Sequence, residues 1–164
     1  MFTIYNPLQY TYVAVRPYRD SDFEAIVEIE RLSFPVGAYS RRMLRHMLNE
    51  EGSRTLVYED GRVLGYITAI PLDTVSFDVE SIAVLPEAQG RGIGRQLLSA
   101  VEELMAQEGF TVSILEVREK NSGAIRFYQN MGYRIISFMP KYYREEFEGS
   151  RGAYRMLKFI GQER

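Results

Sequence analysis

The sequence predicts an α/β domain in which a mixed sheet is covered by helices on both faces. Three observations carry that expectation. Segments of strand-like and helix-like apolar spacing alternate along the chain in the order β-α-α-β-β-β-α-β-α-β-β. Glu59-Asp60-Gly61 stands between two apolar, β-branched runs, which is a hairpin signal. An apolar strand ending in Ile82-Ala83-Val84 runs through a turn and Gln89-Gly90-Arg91-Gly92-Ile93-Gly94 directly into an amphipathic helix.

The elements follow in order. Residues 12–15 read as the first strand. Asp20-Ser21-Asp22 then offers an N-cap for a helix whose apolar stripe is Phe23, Ile26, Val27, Ile29 and Leu32. The proline and glycine within residues 34–39 end it. A second helix over about 40–49 carries Met43, Leu44, Met47 and Leu48. Strands at 55–58 and 63–70 form the hairpin, and 75–85 is another strand. The helix over 92–107 places Ile93, Leu97, Val101, Leu104 and Met105 on one face. A strand at 110–118, a helix at 122–131, a strand at 133–138, a long loop and a strand at 153–159 complete the set. No repeat, low-complexity tract or linker interrupts this order. One domain over residues 1–164 is therefore expected, with the aromatic-rich residues 1–12 as an extension on it.

Composition narrows the function. The 164 residues suffice to bury a core, and 46% hydrophobic with 26% charged residues is ordinary for a soluble globular chain. No apolar run approaches the roughly 20 residues of a membrane span, and no secretory leader is recognisable. A cytoplasmic protein without a membrane partner is expected. The absence of cysteine excludes disulfides, thiolate metal sites and a cysteine nucleophile. His46 is the only histidine, so neither a multi-histidine metal site nor a Ser-His-Asp triad through another histidine is available. No metal is expected. His46 itself reads as a surface or half-buried residue of the second helix. A net charge of −2 gives no electrostatic case for nucleic acid.

The glycine loop points to a ligand. Gly90, Gly92 and Gly94 at every second position let the backbone turn tightly and present bare N–H groups. Those groups stand at a helix N-terminus, where the macrodipole favours an anion, so a phosphate is the natural occupant. The spacing is neither the G-x-G-x-x-G of a dinucleotide fold nor a P-loop, since no Gly-Lys-Ser/Thr follows. The second informative stretch runs from Leu115-Glu116-Val117 to Gly132-Tyr133. On an alternating strand Glu116 shares a face with Val112 and Ile114, and a carboxylate among apolar neighbours tends to carry a raised pKa suited to proton transfer. A strand-end glutamate leaning into solvent or pairing with Arg118 is the structural alternative. Asn121 is placed to cap the following helix, and capping alone would account for it. Tyr128 lies one turn after Ala124, and a tyrosine in such a stripe is more often a core residue than a catalyst.

Together these stretches resemble the GNAT acetyltransferases. Gln-x-x-Gly-x-Gly after Ile82-Ala83-Val84 is similar to their pyrophosphate-binding motif. Leu115-Glu116-Val117, Asn121, Ala124, Phe127-Tyr128 and Gly132-Tyr133 fall where that family has the same residues. The likeness spans about residues 15–160 and is nearest to the RimI-like protein N-terminal acetyltransferases, archaeal relatives included. It implies the GNAT fold, with a mixed, mostly antiparallel sheet, and acetyl-CoA as co-substrate, with CoA as product. Cofactor contacts implied are Ile82, Ala83, Val84, Gln89, Gly90, Arg91, Gly92, Ile93, Gly94, Arg95, Asn121 and Tyr128. The implied chemistry is direct acyl transfer in a ternary complex. Glu116 takes the amine proton through water, Tyr128 donates to the departing thiolate, and a backbone N–H of residues 82–84 holds the oxyanion.

The resemblance also implies a peptide groove. Tyr142-Tyr143 in the late loop forms one wall, and Phe34-Pro35-Val36 with Tyr39 forms the other. Where some relatives carry Leu-Pro-Glu this chain has Phe34-Pro35-Val36, and an apolar wall there admits a larger first side chain such as Met. The expected substrate is the α-amine of a protein N-terminus. The likeness leaves ribosome association open, and a monomer or weak dimer is expected. Two other readings stay open. One is acetylation of a small amine such as a polyamine or aminoglycoside, with Glu145, Glu146 and Glu148 supplying an acidic pocket. The other is a non-catalytic acetyl-CoA sensor.

Overall fold

A computed structural model describes residues 14–161. Its elements are β1 (Val15–Pro17), α1 (Phe23–Ser33), α2 (Arg41–Leu48), β2 (Arg54–Asp60), β3 (Arg62–Pro71), β4 (Ser76–Val84), α3 (Ile93–Gln107), β5 (Val112–Arg118), α4 (Ser122–Asn130), β6 (Arg134–Met139) and β7 (Ala153–Phe159). The order matches the one read from the sequence. Among the described residues the first strand runs from Val15 to Pro17, while residues 12 and 13 of the expected strand and the expected 1–12 extension lie outside them.

The seven strands form one sheet in the order β1-β2-β3-β4-β5-β7-β6. Every pairing is antiparallel except β4 with β5. Helices cover both faces. A Cβ added at Gly65 would meet Leu97 of α3 at 3.2 Å, whereas its neighbour Tyr66 donates to Glu30 of α1 from the opposite face. That double covering is why β3 is buried continuously from Leu64 to Ala69. Ile26, Ile29, Leu44, Leu97, Leu98, Val101 and Met105 are the helical side of the core, and Leu56, Ile67, Phe77, Leu115 and Met156 the sheet side.

Two helix starts differ from expectation in detail. Asp22 does not cap α1 with its side chain. It accepts instead from the Arg19 amide at 2.7 Å and from both terminal nitrogens of Arg16 at 2.9 Å, closing the 3₁₀ turn Asp20–Asp22 that leads into α1. Arg16 holds this carboxyl below the usual range against the opposing effect of burial. Ser40 does cap α2, accepting from the Met43 amide at 3.2 Å. Of the expected stripes, Leu32 and Met43 are exposed. His46 is exposed and stands 3.4 Å from Glu50, one turn away.

Two features of the sheet prepare the site. The β4–β5 ladder stops at Asp78–Ile114, so residues 79–84 of β4 and 115–118 of β5 part from one another. On the other edge of β4, pairing with β3 slips by one residue between Val79 and Ser81, so Glu80 is a bulge. A bulge bends its strand and re-aims side chains, here at the point where the strands separate.

Candidate active site

The cleft between the parting strands has a backbone end and a side-chain end. At the backbone end β4 passes through the 3₁₀ turn Pro86–Ala88 into the glycine loop and α3. Gly90 and Gly92 have φ of +83° and +80°, and a Cβ built on either meets nothing within 4 Å. Only glycine takes this conformation at little cost, and the loop presents bare backbone to open space. Gly92 is the N-cap of α3 and supplies no side-chain cap, so the amides of Ile93, Gly94 and Arg95 begin the helix without intrahelical partners. Arg91 and Arg95 are exposed beside them. Bare amides, a helix dipole and two cations fit a pyrophosphate. Gly94 is close because of α4: a Cβ there would meet the Phe127 ring at 3.5 Å.

The strand edge beyond Asp78 is free of β5, which leaves Ile82, Ala83 and Val84 beside the cleft. Gln89 turns back and donates to the Val84 carbonyl at 3.0 Å, and Ser33 donates to the same oxygen at 3.1 Å. Asn121 caps α4 by accepting from the Ala124 amide at 3.1 Å, the structural role expected of it.

At the side-chain end Glu116 faces the cleft from β5. Its partner is not Arg118 but Arg155, directly opposite on β7, whose Nε donates to Oε2 at 2.8 Å. The Tyr142 hydroxyl lies 3.4 Å from Oε1. Arg118 stacks over the Tyr143 ring at 3.9 Å and donates to the Glu145 carbonyl at 2.8 Å, tying the late loop to β5. Tyr142 and Tyr143 meet edge to face at 4.9 Å. Burial pushes the Tyr143 phenol up to about 12, with Arg118 opposing and Glu116 adding to the rise.

Of the acids beside Glu116, Asp78 is one whose pKa burial lifts, and its sequence context did not single it out. Burial and then the charge of Glu116 raise it to about 9. Its carboxyl lies against those of Glu116 and Glu80. Glu80, at the bulge, accepts from the Tyr39 hydroxyl at 2.6 Å. The Tyr39 amide donates to Glu30 at 2.9 Å, and Glu30 accepts from Tyr66, which also bonds Ser81. This chain of bonds anchors the α1–α2 loop, and with it Phe34, Pro35, Val36 and Tyr39, onto β4. Of these Phe34, Val36 and Tyr39 are half-buried and Pro35 is exposed.

Tyr128 of α4 is partly buried, with its ring 5.2 Å from Phe127 and 5.9 Å from Tyr133. Burial holds its phenol well above the ordinary value, and Tyr143 adds to the shift. Tyr143 thus senses both Tyr128 and Glu116. Glu145, Glu146 and Glu148 are exposed on the loop. The acidic groups of the cleft are instead Asp78, Glu80 and Glu116. Among the described residues no group of His, Cys, Asp and Glu is arranged to hold a metal ion, and no helix is long and apolar enough to cross a membrane.

Comparison with known proteins decides the family. Residues 23–133 match the acetyltransferase (GNAT) family. The chain belongs to it. The acetyltransferase is 34% identical over 145 residues to an uncharacterized N-acetyltransferase of Methanocaldococcus jannaschii, covering 88% of this chain and 90% of that one. It is 30% identical over 141 residues to an N-alpha-acetyltransferase of Sulfurisphaera tokodaii, covering 79% and 84%. The solved structure of Ard1 from Thermoplasma volcanium superposes with a TM-score of 0.80 at 26% identity, covering 89% of this chain and 96% of that one. The acetyl donor is acetyl-CoA, as in the family. Missed in the sequence were Asp78, Glu80 and Arg155. Two acids at i and i+2 within an apolar strand were a signal for the first pair, while Arg155 required the β5–β7 register.

Proposed function

We propose that this acetyltransferase modifies the N-terminal α-amine of proteins, and that the observation carrying this reading is the groove beside Glu116. One wall is the Tyr142–Tyr143 pair and the other is Tyr39 with Phe34, Pro35 and Val36, tied to β4 through Glu80 and Glu30. Two aromatic walls suit an extended peptide, and tyrosine serves such walls because its ring is apolar and its hydroxyl hydrogen-bonds. The N-alpha-acetyltransferase name of the Sulfurisphaera tokodaii relative supports the same substrate class.

Acetyl-CoA supplies an acetyl thioester. The amides at Gly90–Arg95, with Gln89, Arg91 and Arg95, would hold its pyrophosphate, and the strand edge at Ile82, Ala83 and Val84, unpaired with β5, would meet its pantetheine amides. Asn121, which caps α4, is the further contact that the family likeness implies. The α-amine, with an ordinary pKa of about 7.7–8.0, is partly neutral at physiological pH and needs modest help. Glu116, through water, takes the amine proton at its free lone pairs. Tyr128, kept protonated by burial, donates its Oη proton to the departing sulfur as the amine attacks directly.

Thiol release with saturating acetyl-CoA tests the reading against its competitors. A panel of peptides varying in the first two residues should include fast substrates, with both small and Met first residues accepted beside Val36. Faster turnover of spermidine than of any peptide would replace the reading with a small-amine enzyme. No release with any amine would leave only a sensor.

A further inference from the structure

The geometry points to Asp78 as a positioning residue that acts through Glu116, donating its O–H to the Glu116 carboxylate and fixing which lone pairs that carboxylate offers to the amine. The inference rests on Glu116 being the base.

Three facts of placement support it. Asp78 is the last β4 residue in the ladder to β5, so the two backbones are held together at this point and apart beyond it. Its side chain is only 9% exposed, while Glu116 lies on the same face of the neighbouring strand, two residues past Asp78's partner Ile114. The cation in the cluster goes to Glu116: Arg155 bonds Oε2 at 2.8 Å. Facing Asp78 are Glu80 from its own strand, Glu116 from β5, Arg155 from β7, and Tyr142 and Tyr143 from the β6–β7 loop. Two carboxyls lying against one another cannot both ionise at low cost. The one beside the cation keeps the charge, and the deeper one keeps the proton.

The consequence for the reaction is specific. A second negative charge beside Glu116 would hold the substrate ammonium as an ion pair and oppose loss of its proton. Neutral Asp78 adds no further charge beside Glu116 and takes up a lone pair of Glu116 that would otherwise be free to turn towards other donors. The rise of Asp78 to about 9 means that this arrangement lasts through neutral pH and fails in alkali.

Single-turnover rates at saturating peptide and acetyl-CoA, from about pH 6 to 10.5, test it in the wild type, Asp78→Asn, Asp78→Ala and Glu116→Gln. The amide of Asn keeps a neutral donor and does not titrate. Expected are a wild-type rate that falls as pH passes about 9, a fall of ~10-fold in Asp78→Ala at neutral pH, recovery of most of that loss in Asp78→Asn, and no alkaline fall near 9 in Asp78→Asn. Should Asp78→Ala fail to fold, the pH profile of Asp78→Asn decides alone. An alkaline limb that persists in Asp78→Asn, or equal rates for Asn and Ala, overturns the role of Asp78 while Glu116→Gln is still impaired. Full activity in Glu116→Gln instead removes the base assignment on which the inference stands.

Discussion

The β5–β7 ladder has a carboxylate cluster against each face, and the two are built differently. On the α3 face Glu102 is closed off. Lys158 donates to Oε1 at 2.8 Å, Tyr133 donates to Oε2 at 2.7 Å, and Ser113 shares the Tyr133 hydroxyl at 2.7 Å. Both oxygens are satisfied and the one charge meets one cation. On the other face Glu116 meets Arg155 on Oε2 and the Tyr142 hydroxyl on Oε1, while Asp78 and Glu80 add acid that no second cation matches among the described residues. Ser113 and Glu116 are three residues apart on one strand, as are Lys158 and Arg155 opposite them. The same ladder thus meets one acid with one cation on one face and, where β4 departs, three acids with one cation on the other. A one-to-one pair suits structure, whereas an excess of acid at a cleft is the arrangement that shifts a carboxyl's pKa.

The largest expected effect breaks the comparison directly. Glu116→Gln should lower kcat by ~10²–10⁴-fold with little change in peptide binding, and Tyr128→Phe should act in the same direction. Glu102→Gln, isosteric and on the other face, should leave kcat within about 3-fold, far below the range for a general acid–base group. Equal losses in Glu116→Gln and Glu102→Gln would erase the functional distinction between the faces.

Gly92→Val probes the backbone end of the cleft. A β-branched residue at φ +80° carries about 1–2 kcal/mol of strain and places methyl groups in the space the loop leaves open. Affinity for acetyl-CoA should fall by ~10-fold or more, by titration calorimetry, in a protein whose circular dichroism is unchanged. A folded variant with wild-type affinity would move the pyrophosphate elsewhere.

Much of this was legible beforehand. The element order, the hairpin at Gly61, the glycine loop and the motif residues Glu116, Asn121 and Tyr128 depend on local spacing, which a sequence displays. The partner of Glu116 was not legible, because Arg155 lies 39 residues away and only the strand register brings it opposite. Asp78 and Glu80 are two acids in an otherwise apolar strand, with nothing local to show what they face. Their role follows from the end of the β4–β5 ladder and from a bulge, and neither leaves a mark in hydrophobic period.

Stability should separate the two faces in the opposite sense to activity. Glu102→Ala removes both partners' acceptor and should cost about 3 kcal/mol, the low end for breaking a buried pair because Lys158 is a quarter exposed, or about 6–12 °C in Tm. A melt within 2 °C of wild type, about the shift of 1 kcal/mol or less, would show that the cluster carries no such load.

Asp78 also makes stability depend on pH. Its folded-state pKa of about 9 lies above the ordinary value, so between about pH 4 and 9 the folded chain holds a proton that the unfolded chain has released. The contribution of this group to stability is therefore fully present below about pH 4 and is lost as pH rises to about 9. Asn does not titrate, so the Tm of Asp78→Asn relative to wild type should climb steadily from pH 5 to pH 9. A constant difference across that range would mean that Asp78 ionises normally.

The most direct test of the account is a competition between amines on one peptide backbone. Two peptides of identical sequence are prepared, one with a blocked α-amine and a free lysine, the other with a free α-amine and a blocked lysine. A lysine side chain is longer and thinner and would need a channel, which the proposed walls at Tyr142, Tyr143 and Tyr39 would close, whereas an N-terminus would lie extended between them with its amine at Glu116. Initial rates by mass spectrometry should favour the free α-amine by at least ~10-fold, the loss expected when the amine sits outside productive geometry. Transfer to the lysine at an equal or greater rate would contradict the account.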